Sequence, residues 1–169
     1  PAVAQPSTAV RWRGVDVVRA KKCVNKCVIS LSYPPMQTLR QKYLLFLGDA
    51  PDQLAAKTAA GIAHWRPDWC TGQLRLSDCN ADLGLTDQTL REAHALGART
   101  LIIGVANRGG IVSDLWRDTL YEAIDLGYDL ASGLHKRLGD IPGLAERAER
   151  AGTRLVDARF PDRDYPIAS

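Results

Sequence analysis

The residues best suited to chemistry fall in four short segments. Asn107-Arg108-Gly109-Gly110 joins a guanidinium fork, a shape that grips carboxylate or phosphate, to two glycines that let backbone N–H groups face an anion. The competing reading is a tight turn with a solvated arginine. Ser132-Gly133-Leu134-His135 offers a hydroxyl and an imidazole that can take or give a proton near neutral pH. A histidine that caps the following helix fits the same pattern. Asp49, in Gly48-Asp49-Ala50-Pro51, either bonds a substrate amine or hydroxyl or caps a helix. Asp157 and Arg159 complete a polar rim or pair with each other. His64 and His94 lie inside helical patterns and read as structural or solvated.

Several chemistries are disfavoured by what stands beside these residues. Gly48-Asp49-Ala50-Pro51 is not the G-x-G-x-x-G that lets a backbone close on a pyrophosphate, so a nicotinamide-dependent oxidoreductase is disfavoured. Lys57-Thr58 resembles the tail of a Walker A motif, but no Gly-x-x-x-x-Gly precedes it. The carboxylates and sulfurs form no recognisable metal cluster. Cys23, Cys27, Cys70 and Cys79 match neither a zinc knuckle nor a small disulfide framework, which points to free thiols in a reducing cytoplasm. The net charge of +3 divides into +5 over residues 1–36 and −2 over the rest, so the body carries no basic face for nucleic acid. No run approaches the roughly 18 apolar residues of a membrane helix, and no membrane partner is expected. The oligomeric state is not legible, and a homo-oligomer stays open.

The elements that must position these groups are read from apolar periodicity. Leu101 to Val105 is a continuous apolar run broken only by Gly104, and it leads through the Asn107–Gly110 loop into a helix opened by Ser113. A strand apolar on both faces belongs to a parallel sheet covered by helices. Tyr43–Leu47 is a second such strand, and Pro51 suits the first turn of the helix after it. Gln73–Leu76 is a weaker strand, and Thr86 with Asp87 should cap a helix running to Leu96. Tyr128–Ala131 and Arg154–Asp157 supply the last two strands, with an amphipathic helix between them that closes at Gly152.

Five strands alternating with four helices predict an α/β, Rossmann-like three-layer fold with a five-stranded parallel sheet, in the order 2-1-3-4-5. The order 3-2-1-4-5 has the same periodicity. In the first order Asp49 and Arg108 share one rim at the carboxyl ends of the strands, with His135 further along it.

Residues 1–36 form a basic, loop-like tail ahead of a domain at 37–169. Either Met36 is the natural start and the preceding residues belong to an over-extended reading frame, or the tail is a targeting peptide. It supplies no element the sheet requires, so its deletion should leave the melting temperature nearly unchanged. A loss of more than roughly 2 kcal/mol would make it integral.

Taken together, Tyr-Leu-Leu-Phe-Leu-Gly-Asp-Ala at 43–50, Lys-Thr-Ala at 57–59, Ile-Gly-Val-Ala-Asn-Arg-Gly-Gly at 103–110, Ser-Gly-Leu-His at 132–135 and Asp-Ala-Arg at 157–159 resemble the N-terminal domain of the DgcN family. The resemblance spans about residues 37–168. It implies D-glutamate N-acetyltransferase activity in bacterial D-amino-acid catabolism, with a small amino dicarboxylate as acceptor and acetyl-CoA as donor. It also implies a downstream domain with a P-loop of the type G-T-D-C-x-x-G-K, through which a nucleotide would bind. Without that domain the chain is expected to be inactive. The alternative is a non-catalytic ligand-binding or interaction domain with the same crevice. On the acetyltransferase reading Asn107, Arg108, Gly109, Gly110, Ser132, Asp157 and Arg159 bind substrate, while His135 or Asp49 receives the amine proton.

Overall fold

The computed structural model describes residues 38–106 and 112–160, together with a two-residue antiparallel ladder of Arg11–Trp12 with Val15–Asp16. The chain divides into two units, Pro1–Thr38 and Leu39–Ser169. In the second unit, strands β1 (Tyr43–Gly48), β2 (Cys70–Arg75), β3 (Thr100–Ile103), β4 (Asp129–Ser132) and β5 (Leu155–Asp157) form one sheet. Every pairing is parallel, and the order is 2-1-3-4-5. The central strands β1, β3 and β4 are buried along their whole length, which is why they read as unbroken apolar runs. The edge strands β2 and β5 are half-buried.

Helices α1 (Lys57–Trp65), α2 (Leu90–Ala95), α3 (Arg117–Asp125) and α4 (Leu144–Ala151) make the crossovers. Right-handed connections put α1 on one face and α2 to α4 on the other. Contacts agree for the second group: Arg91 of α2 lies 3.6 Å from Glu122 of α3, and Arg147 of α4 is 2.6 Å from Asp125. Leu44, Leu45, Phe46, Leu101, Ile103, Trp116, Leu120, Ile124 and Leu130 are among the largest apolar side chains shut off from water.

Three helix starts differ from the sequence reading, each through local turn chemistry. Pro51 lies ahead of α1 rather than in its first turn. The Asp52 carboxylate accepts the Ala55 N–H at 2.8 Å, and Ala56 and Lys57 donate to Gln53 O and Leu54 O, so the chain turns twice before the helix begins. Thr86 and Asp87 do not cap α2. Thr89 does, in a reciprocal capping box with Glu92. Thr86 and Gln88 instead bond the two sides of Gln73 on the β2 edge, with Gln73 N donating to Thr86 O and Gln88 N donating to Gln73 O. Ser113 caps a single 3₁₀ turn, Asp114–Trp116, and the α-helix starts only at Arg117. The strands β2 and β4 are also shifted, so Ser132 closes β4 instead of following it.

At the amino end of the sheet the buried Asp129 is held by two arginines. Arg40 donates from Nε and Nη2 at 2.7 Å each, and Arg154 donates from its backbone N–H, Nε and Nη2 at 2.9, 3.0 and 2.7 Å. Burial alone would raise the pKa of this carboxyl. The bonds from Arg40 and Arg154 outweigh it and hold Asp129 below the usual carboxylate range.

Candidate functional site

The pairings Phe46 with Ile103, Ile103 with Ser132 and Ser132 with Asp157 align the carboxyl ends of β1, β3, β4 and β5. The loops after those strands share that edge, where open α/β sheets take their ligands. Asp49, Ser132, His135, Asp157 and Arg159 all follow or end these strands, as the sequence reading requires. Asn107, Arg108, Gly109 and Gly110 lie outside the described residues.

Asp49 leaves β1 through Gly48, whose φ of +52° is a left-handed conformation that suits glycine. The close packing of Trp116 requires the same residue, because a Cβ on Gly48 would lie 2.6 Å from the indole Nε1. Trp116 is 1% exposed and stands edge-on to Phe46, with ring centroids 5.6 Å apart. Its Nε1–H donates to Asp49 Oδ1 at 2.7 Å. One carboxylate oxygen at the β1 exit is therefore fixed by a buried indole carried on the segment that begins at Val112. The sequence reading missed Trp116. Its position two residues past a helix-capping Ser-Asp gives no hint of a partner 67 residues away.

The first turn of α1 is engaged by the exit of β3. Ala59 N donates to Gly104 O at 3.2 Å, and Ala106 N donates to Ala55 O at 2.7 Å. Ala59 is the third residue of α1, so one of the N–H groups that a pyrophosphate would seek at this position is taken. This accords with the missing glycine fingerprint.

The β4 and β5 exits form a pinned loop. Ser132 is buried, and its Oγ accepts the Leu134 N–H at 3.1 Å, turning the chain sharply. The Asp157 carboxylate accepts the Leu138 N–H at 3.1 and 3.3 Å, and Arg159 Nε donates to Gly133 O at 2.7 Å. Asp157 and Arg159 thus each hold the 133–138 loop, and the pairing between them considered above is not seen. Arg137 stacks over Phe160 at 4.5 Å. Burial raises the Asp157 pKa against the opposing Leu138 N–H and Arg137 charge. His135 stands exposed between the two anchored ends. Among the described residues no group of three or more His, Cys, Asp or Glu side chains could hold a metal, and no helix is long and apolar enough to cross a membrane.

An all-parallel sheet in this order, covered by helices on both faces, defines a Rossmann-like domain. Residues 75–161 match DUF1611_N, a Rossmann-like domain of unknown function, and the chain belongs to that family. A D-glutamate N-acetyltransferase from Tritonibacter scottomollicae is 60% identical over 126 residues, covering 75% of this chain and 38% of the relative. A protein of the same name from a Pseudoalteromonas species is 38% identical over 127 residues, with the same coverage. The chain therefore spans about two fifths of the length of these curated relatives. A DUF1611 family crystal structure from Anabaena variabilis superposes with a TM-score of 0.60 at 22% identity, over 77% of this chain and 40% of that one, and shows the same fold.

Proposed function

We propose that this chain is the Rossmann-like part of an N-acetyltransferase that acts on D-glutamate or a similar amino dicarboxylate, with acetyl-CoA as donor. The observation that carries the reading is the Asp49 carboxylate, fixed by Trp116 at the β1 exit on the same edge as Ser132, His135, Asp157 and Arg159. The names of relatives at 60% and 38% identity support the substrate and the acyl group.

Acetyl transfer forms a bond from the amine nitrogen to the thioester carbonyl carbon and breaks the carbon–sulfur bond. The acceptor must be oriented and must lose a proton as it attacks. On this reading Arg108 clamps a substrate carboxylate, with Asn107 and the Gly109 and Gly110 backbone beside it. Asp49 or His135 receives the amine proton, and the thiolate of CoA leaves. Ser132, Asp157 and Arg159 set the far side of the rim. The described residues fit the acceptor better than the donor, because α1 offers its first turn to Gly104 rather than to a diphosphate. The reading assigns the donor's phosphates to the P-loop domain that the family resemblance implies.

The test compares this chain with a version extended through that downstream domain, following release of free CoA thiol in the presence of D-glutamate. The extended protein should turn over and the 169-residue chain should not. Full turnover by the short chain would overturn the two-domain reading. In the extended protein, Arg108→Ala should weaken D-glutamate binding by roughly 10- to 150-fold, the value of a charge-assisted hydrogen bond, as measured by calorimetry. Unchanged affinity, or loss of the fold, would make Arg108 structural.

A further inference from the structure

Asp49 does none of the work that a carboxylate at a strand exit ordinarily does. It does not cap α1: the turn ahead of the helix is held by Asp52, and Ala56, at the N-cap position, has no side-chain bond to give. Among the described residues it pairs with no arginine or lysine, whereas Asp129 at the other end of the sheet is gripped by two arginines. Its one donor among those residues is the Trp116 indole, which holds Oδ1 at 2.7 Å.

Both partners of this bond are themselves fixed. Trp116 closes the 3₁₀ turn capped by Ser113, its backbone N–H donates to Ser113 O at 3.1 Å, and its ring is buried edge-on to Phe46 and against Gly48. Around Asp49, Ala50 N donates to Leu47 O at 3.1 Å and Leu76 N to Gly48 O at 2.9 Å. That leaves the side-chain torsions of Asp49, and the indole sets them. An indole N–H is a neutral donor with no lone pair to offer. It orients Oδ1 without bringing a charge beside it and without being able to take a proton from it. Asp49 is half-buried, and Oδ2 is left as the oxygen that can meet a ligand.

We propose that Trp116 is a positioning residue for acetyl transfer: it turns Asp49 so that Oδ2 accepts a hydrogen bond from the substrate ammonium and takes its proton. The proposal rests on the acetyltransferase reading and assigns to Asp49 the role that reading shares between Asp49 and His135. Going from ammonium to amide, the nitrogen loses two protons. Oδ2 takes the first and releases it to solvent. The second leaves as the nitrogen–carbon bond forms and the carbon–sulfur bond breaks, and it ends on the departing sulfur of CoA.

The experiment uses the protein extended through the downstream domain and three variants of it. Asp49→Asn keeps an oxygen for the indole and loses the proton acceptor. Trp116→Phe removes the N–H, and 3-benzothienylalanine at position 116 removes it while keeping the two-ring shape, with sulfur in its place. Asp49→Asn should lose most turnover. Both position-116 variants should lower kcat with D-glutamate by roughly 10- to 150-fold, the value of one hydrogen bond to a charged group, and leave KM for acetyl-CoA unchanged. The indole N–H proton resonance of Trp116, identified by its loss in either variant, should move when D-glutamate is added. It should move far less with glutarate, which has both carboxylates and no ammonium. Full turnover in the benzothienylalanine variant with Asp49→Asn inactive would overturn the role of Trp116 and leave the acetyltransferase reading standing. Full turnover in Asp49→Asn would overturn the proposal and remove Asp49 from that reading as well. Equal shifts with the two ligands would show that no ammonium meets Asp49 and would also overturn it. If Trp116→Phe does not fold, the shape-keeping variant decides.

Discussion

Asp129→Asn should lower the unfolding free energy by about 3 kcal/mol at neutral pH, measured by urea denaturation. The change keeps the shape of the side chain and removes its charge. The carboxylate is 1% exposed and accepts five hydrogen bonds from Arg40 and Arg154. An asparagine amide must turn its NH₂ toward one of these donors, so at least one charge-assisted bond becomes a clash of donors. Such a bond contributes roughly 1.5–3 kcal/mol, and the second is weakened with it. The total stays near the lower end of a buried-pair loss because both arginines are over two fifths exposed and recover hydration.

The pH dependence has a definite sign. A carboxyl whose pKa is lowered by folding stabilises the protein fully above its unfolded value, about pH 4, and ceases to do so as pH falls through the folded value. The gap between wild type and Asp129→Asn should therefore be flat from neutral pH down to about 5 and close in stronger acid. A gap that widens in acid would show that Asp129 is not the group stabilised here.

Gly104→Ala should cost about 3 kcal/mol, at the upper end for overpacking. The new Cβ would stand 2.3 Å from the Ala59 Cβ and 3.0 Å from its Cα. Helix α1 and the end of β3 would have to separate, which stretches the bonds from Ala59 N to Gly104 O and from Ala106 N to Ala55 O. Ala59→Gly alone should cost about 1 kcal/mol, as a glycine in a helix does. Combined with Gly104→Ala it should restore most of the loss, because it removes the atom in conflict. A double mutant no better than the sum of the singles would mean that Gly104 is required for some reason other than this contact.

The sheet was legible because its central strands are apolar on both faces and its helices end on glycines such as Gly97, Gly127 and Gly152, each with positive φ. Helix starts were less legible. Thr86-Asp87 and Thr89 with Glu92 both carry the signature of a cap, and the choice between them was made by Gln73, which draws Thr86 and Gln88 to the sheet edge. The rim residues Asp49, Ser132, His135, Asp157 and Arg159 could be placed from strand ends alone. What engages them could not: Trp116 reaches Asp49 across 67 positions, and at the opposite, amino end of the sheet Arg40 likewise reaches Asp129 across 89. No local pattern encodes such pairs, since either residue alone is an ordinary aromatic or charge.

The segment from Thr86 to Gln88 also gives the sheet a direction of growth. Gln73 sits midway along the outer edge of β2, and both its N–H and its C=O are taken by that segment, so an incoming strand finds the centre of this edge closed. The other edge, β5, is three residues long with its side chains half-buried, and among the described residues no strand pairs with its outer side. Unpaired strand edges are where sheets recruit further strands, wanted or unwanted. Any sixth strand, whether from a neighbouring domain or from an aggregating copy, should therefore align beside Leu155–Asp157, next to the end of the pinned 133–138 loop. Fusion partners or tags attached near β2 should be tolerated, whereas crowding of the β5 edge should disturb assembly and the rim together.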